Sequence, residues 1–191
     1  MNRQRKEAIV GLAECSPLIE SELERCPQDF IDALGELLIV SPPMLDALRS
    51  HPDWLGWLRT RVEAGAASEG SRPEPLDLDA LRALKRREYL EIAFLDIAGL
   101  AGFEHVVKRL SGLADWVIGA ALRLCWQAVA QDARAQGGPP ASGTGFAVFA
   151  MGKLGGGELN YSSDVDLVFC RRDSDFSSSL SRFCFCSSHD E

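Results

Sequence analysis

The stretch that decides the fold is Phe146-Ala147-Val148-Phe149-Ala150-Met151-Gly152-Lys153-Leu154-Gly155-Gly156-Gly157-Glu158-Leu159-Asn160-Tyr161-Ser162-Ser163-Asp164-Val165-Asp166-Leu167-Val168-Phe169-Cys170. It opens with a short apolar run, 146–151, that follows a segment rich in glycine and proline, and so reads as a buried strand. A glycine-rich turn comes next. A second β-rich run, Val165 to Phe169, closes the stretch. Glycines let a backbone approach a ligand closely, and amides in such turns can face phosphate oxygens. Asp164 and Asp166 are expected on the second strand, where alternation would put both carboxylates on one face and turn Val165 toward the core.

Two carboxylates side by side repel one another unless a cation lies between them. Mg2+ suits this role: it takes one or two protein carboxylates and completes its shell with water and substrate phosphates. Strand, glycine turn and Asp-x-Asp therefore point to phosphoryl or nucleotidyl transfer. Asp164 and Asp166 are the expected metal ligands and catalytic carboxylates. Gly152, Lys153, Gly155, Gly156 and Ser163 are the expected nucleotide-binding residues. Lys153 reads equally well as an exposed turn cation. A P-loop is excluded because Leu154, not Ser or Thr, follows Lys153, and a dinucleotide fingerprint is excluded because no G-x-G-x-x-G follows the first strand. A plain glycine turn with two exposed aspartates is the competing structural reading.

Outward from this stretch the chain is helical. Residues 1–63 read as a region of short helices, with Pro42 and Pro43 after Ser41 at a helix start, where a proline's missing N–H has no helical partner to lose. Residues 64–78 carry Gly65, Gly70, Pro73 and Pro75 and read as a linker. Residues 79–136 carry two apolar stripes, Leu90, Ala93, Phe94, Ile97, Leu100 and Ala101, then Val106, Leu110, Leu113, Val117, Ala121 and Leu124, which fit two or three amphipathic helices. Gly102 and Ser111-Gly112 are the expected breaks. Residues 137–145 are a loop, and 146–170 form the catalytic core. The run Arg82, Lys85, Arg86 and Arg87 reads as a solvated face countering nearby acids, with a phosphate contact as the sharper alternative.

The net charge of −8 argues against a nonspecific nucleic-acid binder. No stretch looks apolar over the roughly 20 residues a bilayer span needs, so no membrane association is expected. Cys15, Cys26, Cys125, Cys170, Cys184 and Cys186 form no CxxC pair, which disfavours a zinc site and suits reduced thiols in the cytoplasm. His51, His105 and His189 are scattered and receive no catalytic role.

The string Gly152 to Phe169 resembles the bacterial glutamine synthetase adenylyltransferase/adenylyl-removing family, within the polymerase-beta-like nucleotidyltransferase superfamily. Gly155-Gly156 and Asp164-Val165-Asp166 occupy the places of that superfamily's helix start and Asp-x-Asp. Leu81 to Ala93, Leu110-Ser111-Gly112-Leu113-Ala114-Asp115, Ser41 to Met44 and His51 to Leu55 resemble the family's upstream helices, so that the likeness covers about residues 38–170.

The resemblance implies an α+β chain: a mainly helical N-terminal region followed by the start of a polymerase-beta-like nucleotidyltransferase fold. It implies Mg2+ as cofactor, ATP or ADP and phosphate as small substrates, glutamine synthetase as protein substrate, and a PII-type signalling protein as a further partner. The wording Glu158-Leu159-Asn160-Tyr161-Ser162-Ser163-Asp164 is similar to the family's N-terminal unit, which removes AMP from a glutamine synthetase tyrosine by phosphorolysis; the family's other unit adds AMP. The family also implies a third carboxylate on a later strand. Residues 171–191, serine-rich after Arg171-Arg172-Asp173, do not match that pattern, and a truncated sheet with a divergent, disordered tail is expected there. A second reading follows: a catalytically incomplete helical binding module with a remnant nucleotide site.

Overall fold

A computed structural model describes residues 3–65, 72–136 and 146–171. The expected 137–145 loop, most of the 171–191 tail and the middle of the 64–78 linker lie outside the described residues. The fold is α+β: helices dominate, and a small antiparallel sheet closes the described chain.

The first of two compact units comprises Met1–Pro75 and Asp79–Val106. It holds α1 (Arg3–Ala13), α2 (Pro17–Glu24), α3 (Gln28–Val40), α4 (Pro42–Ser50), α5 (Asp53–Glu63) and α6 (Leu78–Ile97). Local chemistry sets several of these boundaries. Ser16 is extended, and its hydroxyl accepts the Leu18 N–H ahead of Pro17 at the start of α2, an N-cap followed by a proline. Pro42 and Pro43 open α4 as the sequence suggests. After α6, Gly99 takes φ +67, and the Leu100 N–H turns back to the Leu95 carbonyl, which ends the helix.

The core of this unit joins α1 through α6. Leu12, Ile19, Leu34, Leu48, Leu55, Leu58 and Leu90 are fully buried in it. Phe30 on α3 packs against Phe94 on α6 with ring centroids 4.4 Å apart. Thus α6, grouped by its sequence with the region 79–136, contributes Leu90, Ala93 and Phe94 to the core of the helices that precede it. Two carboxylates are drawn inside with their counter-ions. Glu22 meets Arg25 at 2.8 Å and Arg59 at 3.2 Å, and Glu91, 1% exposed, meets Arg61 at 3.2 Å. In the basic run, Arg82 pairs with Asp79 at 2.6 Å and Arg87 lies over the Trp57 ring at 4.5 Å. The Arg82 pair fits a face countering nearby acids, whereas Arg87 is half-buried against an aromatic ring and is not part of a solvated face.

The second unit comprises Leu76–Leu78 and Val107–Glu191. Its main helix is α7 (Phe103–Ala135), whose first turn falls before the division. The helix starts after Gly102, whose carbonyl accepts the His105 and Val106 N–H groups. It does not break at Ser111-Gly112: 33 residues run without interruption, so the region 79–136 forms two helices and not three. Glycine lowers helix propensity by about 1 kcal/mol relative to alanine, which the buried contacts of Leu110 and Leu113 on either side outweigh. Against expectation, α7 is also long and apolar enough to cross a membrane by length and composition alone. Asp115 and Arg123 interrupt its apolar centre, and charges there are costly in a bilayer.

Candidate active site

The sheet consists of β1 (Phe146–Ala150) and β2 (Leu167–Arg171), antiparallel, with Phe146 opposite Arg171, Val148 opposite Phe169 and Ala150 opposite Leu167. Residues opposite one another share a face. One face carries Phe146, Val148 and Phe169, and Trp126 of α7 stands edge-on to Phe146 with centroids 5.8 Å apart. The expected buried first strand is in fact half-exposed, with inward and outward residues alternating and Phe149 53% exposed on the other face.

After Ala150 the chain leaves the ladder. Met151 starts a one-turn helix, α8 (Gly152–Gly155), and Gly152 takes φ +55. The last bond between the two chain segments runs from the Met151 N–H to the Asp166 carbonyl, at 2.9 Å. This corrects the expected placement of the carboxylates. Asp164 and Asp166 are not on the second strand; they lie in the segment leading into it, because after the Met151–Asp166 bond the first segment turns into α8. Val165 does not point into a core either; it is 43% exposed. The two carboxylates stand at the mouth of the hairpin, exposed, with Asp166 opposite the start of α8.

The glycines of α8 act by shape. A β-carbon at Gly155 would lie 2.5 Å from the Ala150 carbonyl oxygen, so the turn closes only with glycine there. A β-carbon at Gly152 would lie 3.3 Å from the Asp166 Oδ2. The Gly155 and Gly156 N–H groups donate to the Met151 and Gly152 carbonyls, which makes these two glycines builders of the turn. Gly156 has ordinary helical geometry, and a β-carbon there would find its nearest neighbour at 3.7 Å. Lys153 is exposed on α8, and among the described residues no group pairs with its ammonium or with the carboxylates of Asp164 and Asp166.

Between α8 and the carboxylates the chain is tied by its own polar groups. The Asn160 Oδ1 accepts from the Ser162 N–H at 3.2 Å and from the Ser163 hydroxyl at 2.6 Å, and the Ser163 hydroxyl oxygen accepts the Asn160 N–H at 3.1 Å. Ser163 is half-buried and its hydroxyl proton is committed to Asn160. The Leu159 N–H is donated to the buried Ser111 hydroxyl on α7, at 3.0 Å. Sequence reasoning missed Ser111, Leu159 and Asn160 as organisers of the site. Asn160, followed by two serines, carried a readable signal, since asparagine side chains bond backbone amides two residues on; Ser111 carried none.

Two exposed carboxylates, all-oxygen donors, with an unsubstituted glycine facing one of them, fit a hard divalent cation that keeps waters and phosphate oxygens in its shell. Among the described residues no group of three or more His, Cys, Asp or Glu side chains converges.

A family model for glutamate-ammonia ligase adenylyltransferase matches residues 9–182. The match extends the resemblance seen residue by residue. It takes in residues 9–37 upstream and the β1–α8–β2 unit, and it continues over residues 172–182, where divergence from the family was expected. Helices, hairpin and Asp-x-Asp mouth thus fall within one continuous assignment, and the chain belongs to the glutamate-ammonia ligase adenylyltransferase family, whose enzymes act on glutamine synthetase.

Proposed function

We propose that this chain carries the nucleotide-handling site of an adenylyl-removing unit, and that β1–α8–β2 is the start of a polymerase-beta-like nucleotidyltransferase fold. The observation that carries the reading is the pair of exposed carboxylates, Asp164 and Asp166, at the open end of the hairpin against Gly152. Asp164 and Asp166 hold Mg2+, which supplies charge neutralisation on the phosphoryl oxygens. Gly152, Gly155 and Gly156 keep the turn low enough for a nucleotide phosphate to lie beside them, and Lys153 offsets phosphate charge. Ser163, through Asn160, holds the segment that bears the carboxylates.

The reaction favoured is phosphorolysis. An oxygen of inorganic phosphate bonds to the phosphorus of the tyrosine-linked AMP, the bond from that phosphorus to the tyrosine oxygen breaks, and the tyrosine oxygen takes up a proton. ADP and free tyrosine result. The similarity of residues 158–164 to the family's N-terminal unit supports removal over addition of AMP. The protein's own part is orientation and charge placement, which are the main sources of rate in such transfers.

The test is Asp164→Asn. Calorimetry on the chain should show Mg2+-dependent ADP binding that this variant loses, and phosphorolysis of adenylylated glutamine synthetase should vanish with it. Undiminished binding and turnover in Asp164→Asn would sink the assignment. Binding without turnover in the unaltered chain would favour the second reading, a helical binding module with a nucleotide site.

A further inference from the structure

Five backbone amides of the segment that delivers Asp164 and Asp166 donate within the segment itself. The N–H groups of Gly157 and Glu158 donate to the carbonyls of Leu154 and Lys153, and those of Asn160, Ser162 and Ser163 donate to Ser163 or Asn160. All five acceptors lie between Lys153 and Ser163, so these bonds give the loop a shape without saying where it stands. The Leu159 N–H is different. It donates to the hydroxyl of Ser111, 48 positions earlier on α7, at 3.0 Å. Ser111 is 5% exposed and Leu159 8%. The bond is therefore shielded from water, where an unmade partner is expensive.

We propose that Ser111 is a positioning residue for the nucleotide and metal site, fixing through Leu159 where Asp164 and Asp166 stand relative to α8. The inference rests on the nucleotide-site reading given above. Four residues separate Leu159 from Asp164, and the 160–163 portion is cross-tied by Asn160, so the tether and the carboxylates move as one body. At the other end, the Met151 N–H holds the Asp166 carbonyl. The segment bearing the carboxylate pair is thus tied at its two ends, once to the chain after β1 and once to α7. Release of the α7 bond loosens the Leu159 end. A shift of about 1 Å in such a site is enough to cost as much as a hundredfold in function.

The experiment compares four forms of the whole chain: unaltered, Ser111→Ala, Ser111→Thr and Asp164→Asn. Affinity for Mg2+-ADP is read by calorimetry, and protection of the Leu159 amide by hydrogen exchange. Ser111→Ala should weaken Mg2+-ADP binding by about tenfold, as a small displacement of the carboxylates would, and should expose the Leu159 amide to exchange. Ser111→Thr keeps the acceptor and should restore both, which a general packing role for Ser111 would not require. If Ser111→Ala does not fold, Ser111→Cys, a poor acceptor of similar size, takes its place against Ser111→Thr. Unaltered Mg2+-ADP affinity in the acceptor-deficient variant, with binding lost in Asp164→Asn, overturns the positioning role and leaves the nucleotide site standing. Undiminished binding in Asp164→Asn, or no binding by the unaltered chain, overturns the nucleotide site and this inference with it.

Discussion

The Asp166 carboxylate lies against the bare backbone of Gly152: a β-carbon at that glycine would meet the Asp166 Oδ2 at 3.3 Å. Gly152 also sits at φ +55, a conformation that side-chain-bearing residues adopt at a cost of about 1–2 kcal/mol. Both facts predict the same variant. Gly152→Ala should displace Asp166 and weaken Mg2+-ADP binding by about tenfold or more, while urea unfolding of the α1–α6 unit stays unchanged. Calorimetry and far-UV circular dichroism on one preparation check it.

Gly155 and Gly156 are neighbours with opposite tolerance. An alanine at 155 would force its β-carbon to 2.5 Å from the Ala150 carbonyl, a distance that only backbone movement can relieve, whereas at 156 the nearest atom is 3.7 Å away. Gly155→Ala should open the turn and raise amide exchange at Met151 and Gly155; Gly156→Ala should leave both near wild-type values. Equal exchange in the two variants would contradict the close approach.

Glu91 is 1% exposed and its carboxylate leans on Arg61 at 3.2 Å. Removal of the guanidinium leaves a buried charge with reduced compensation. Arg61→Met should therefore destabilise the first unit by about 3 kcal/mol, and the double variant Arg61→Met/Glu91→Leu should recover much of that loss. Urea denaturation of the unaltered chain, Arg61→Met, Glu91→Leu and the double variant measures it, with additivity of the single changes as the contrary outcome.

Burial pushes the Cys26 thiol up to about 11, against the opposing pull of the Arg59 guanidinium. Its Sγ donates to the Glu22 carbonyl at 3.2 Å. Thiolate is the reactive form, so at pH 8.5 iodoacetamide should label Cys26 far more slowly than the exposed Cys15 and Cys125, as peptide mass spectrometry can show. The linkage has a definite sign. Below the ordinary value of 9.0 Cys26 is neutral folded or unfolded and no stability is lost; between there and about 11 the unfolded thiol ionises first, so stability falls as pH rises. Cys26→Ala should remove that part of the alkaline slope.

Much of the helical unit was legible locally. Of the first apolar stripe, Leu90, Ala93 and Phe94 are buried, but Glu91, Ile92 and Leu95 are buried with them and Leu100 is 55% exposed; Pro42 and Pro43 do open α4. The candidate site was legible as a set of residues: Asp164, Asp166 and the surrounding glycines stand out by residue type, and the fold brings Asp166 against Gly152. Its geometry was not. Alternation along a strand was the wrong argument for the carboxylates, because a strand lasts only as long as its partner, and β1 departs at Met151. The same limit hid the helix through Ser111-Gly112, since propensity weighs a residue without the contacts that overrule it.

The sequence by itself determined which stretches are helical, which turn is rich in glycine and which carboxylates are candidates for a cation, because those are properties of residues and their near neighbours. Only the tertiary structure decided where the strands stop, that Gly152 faces Asp166, and that Ser111 reaches Leu159 across 48 positions. Those relations depend on segments distant in sequence being brought within bonding distance, and that is settled when the whole core packs.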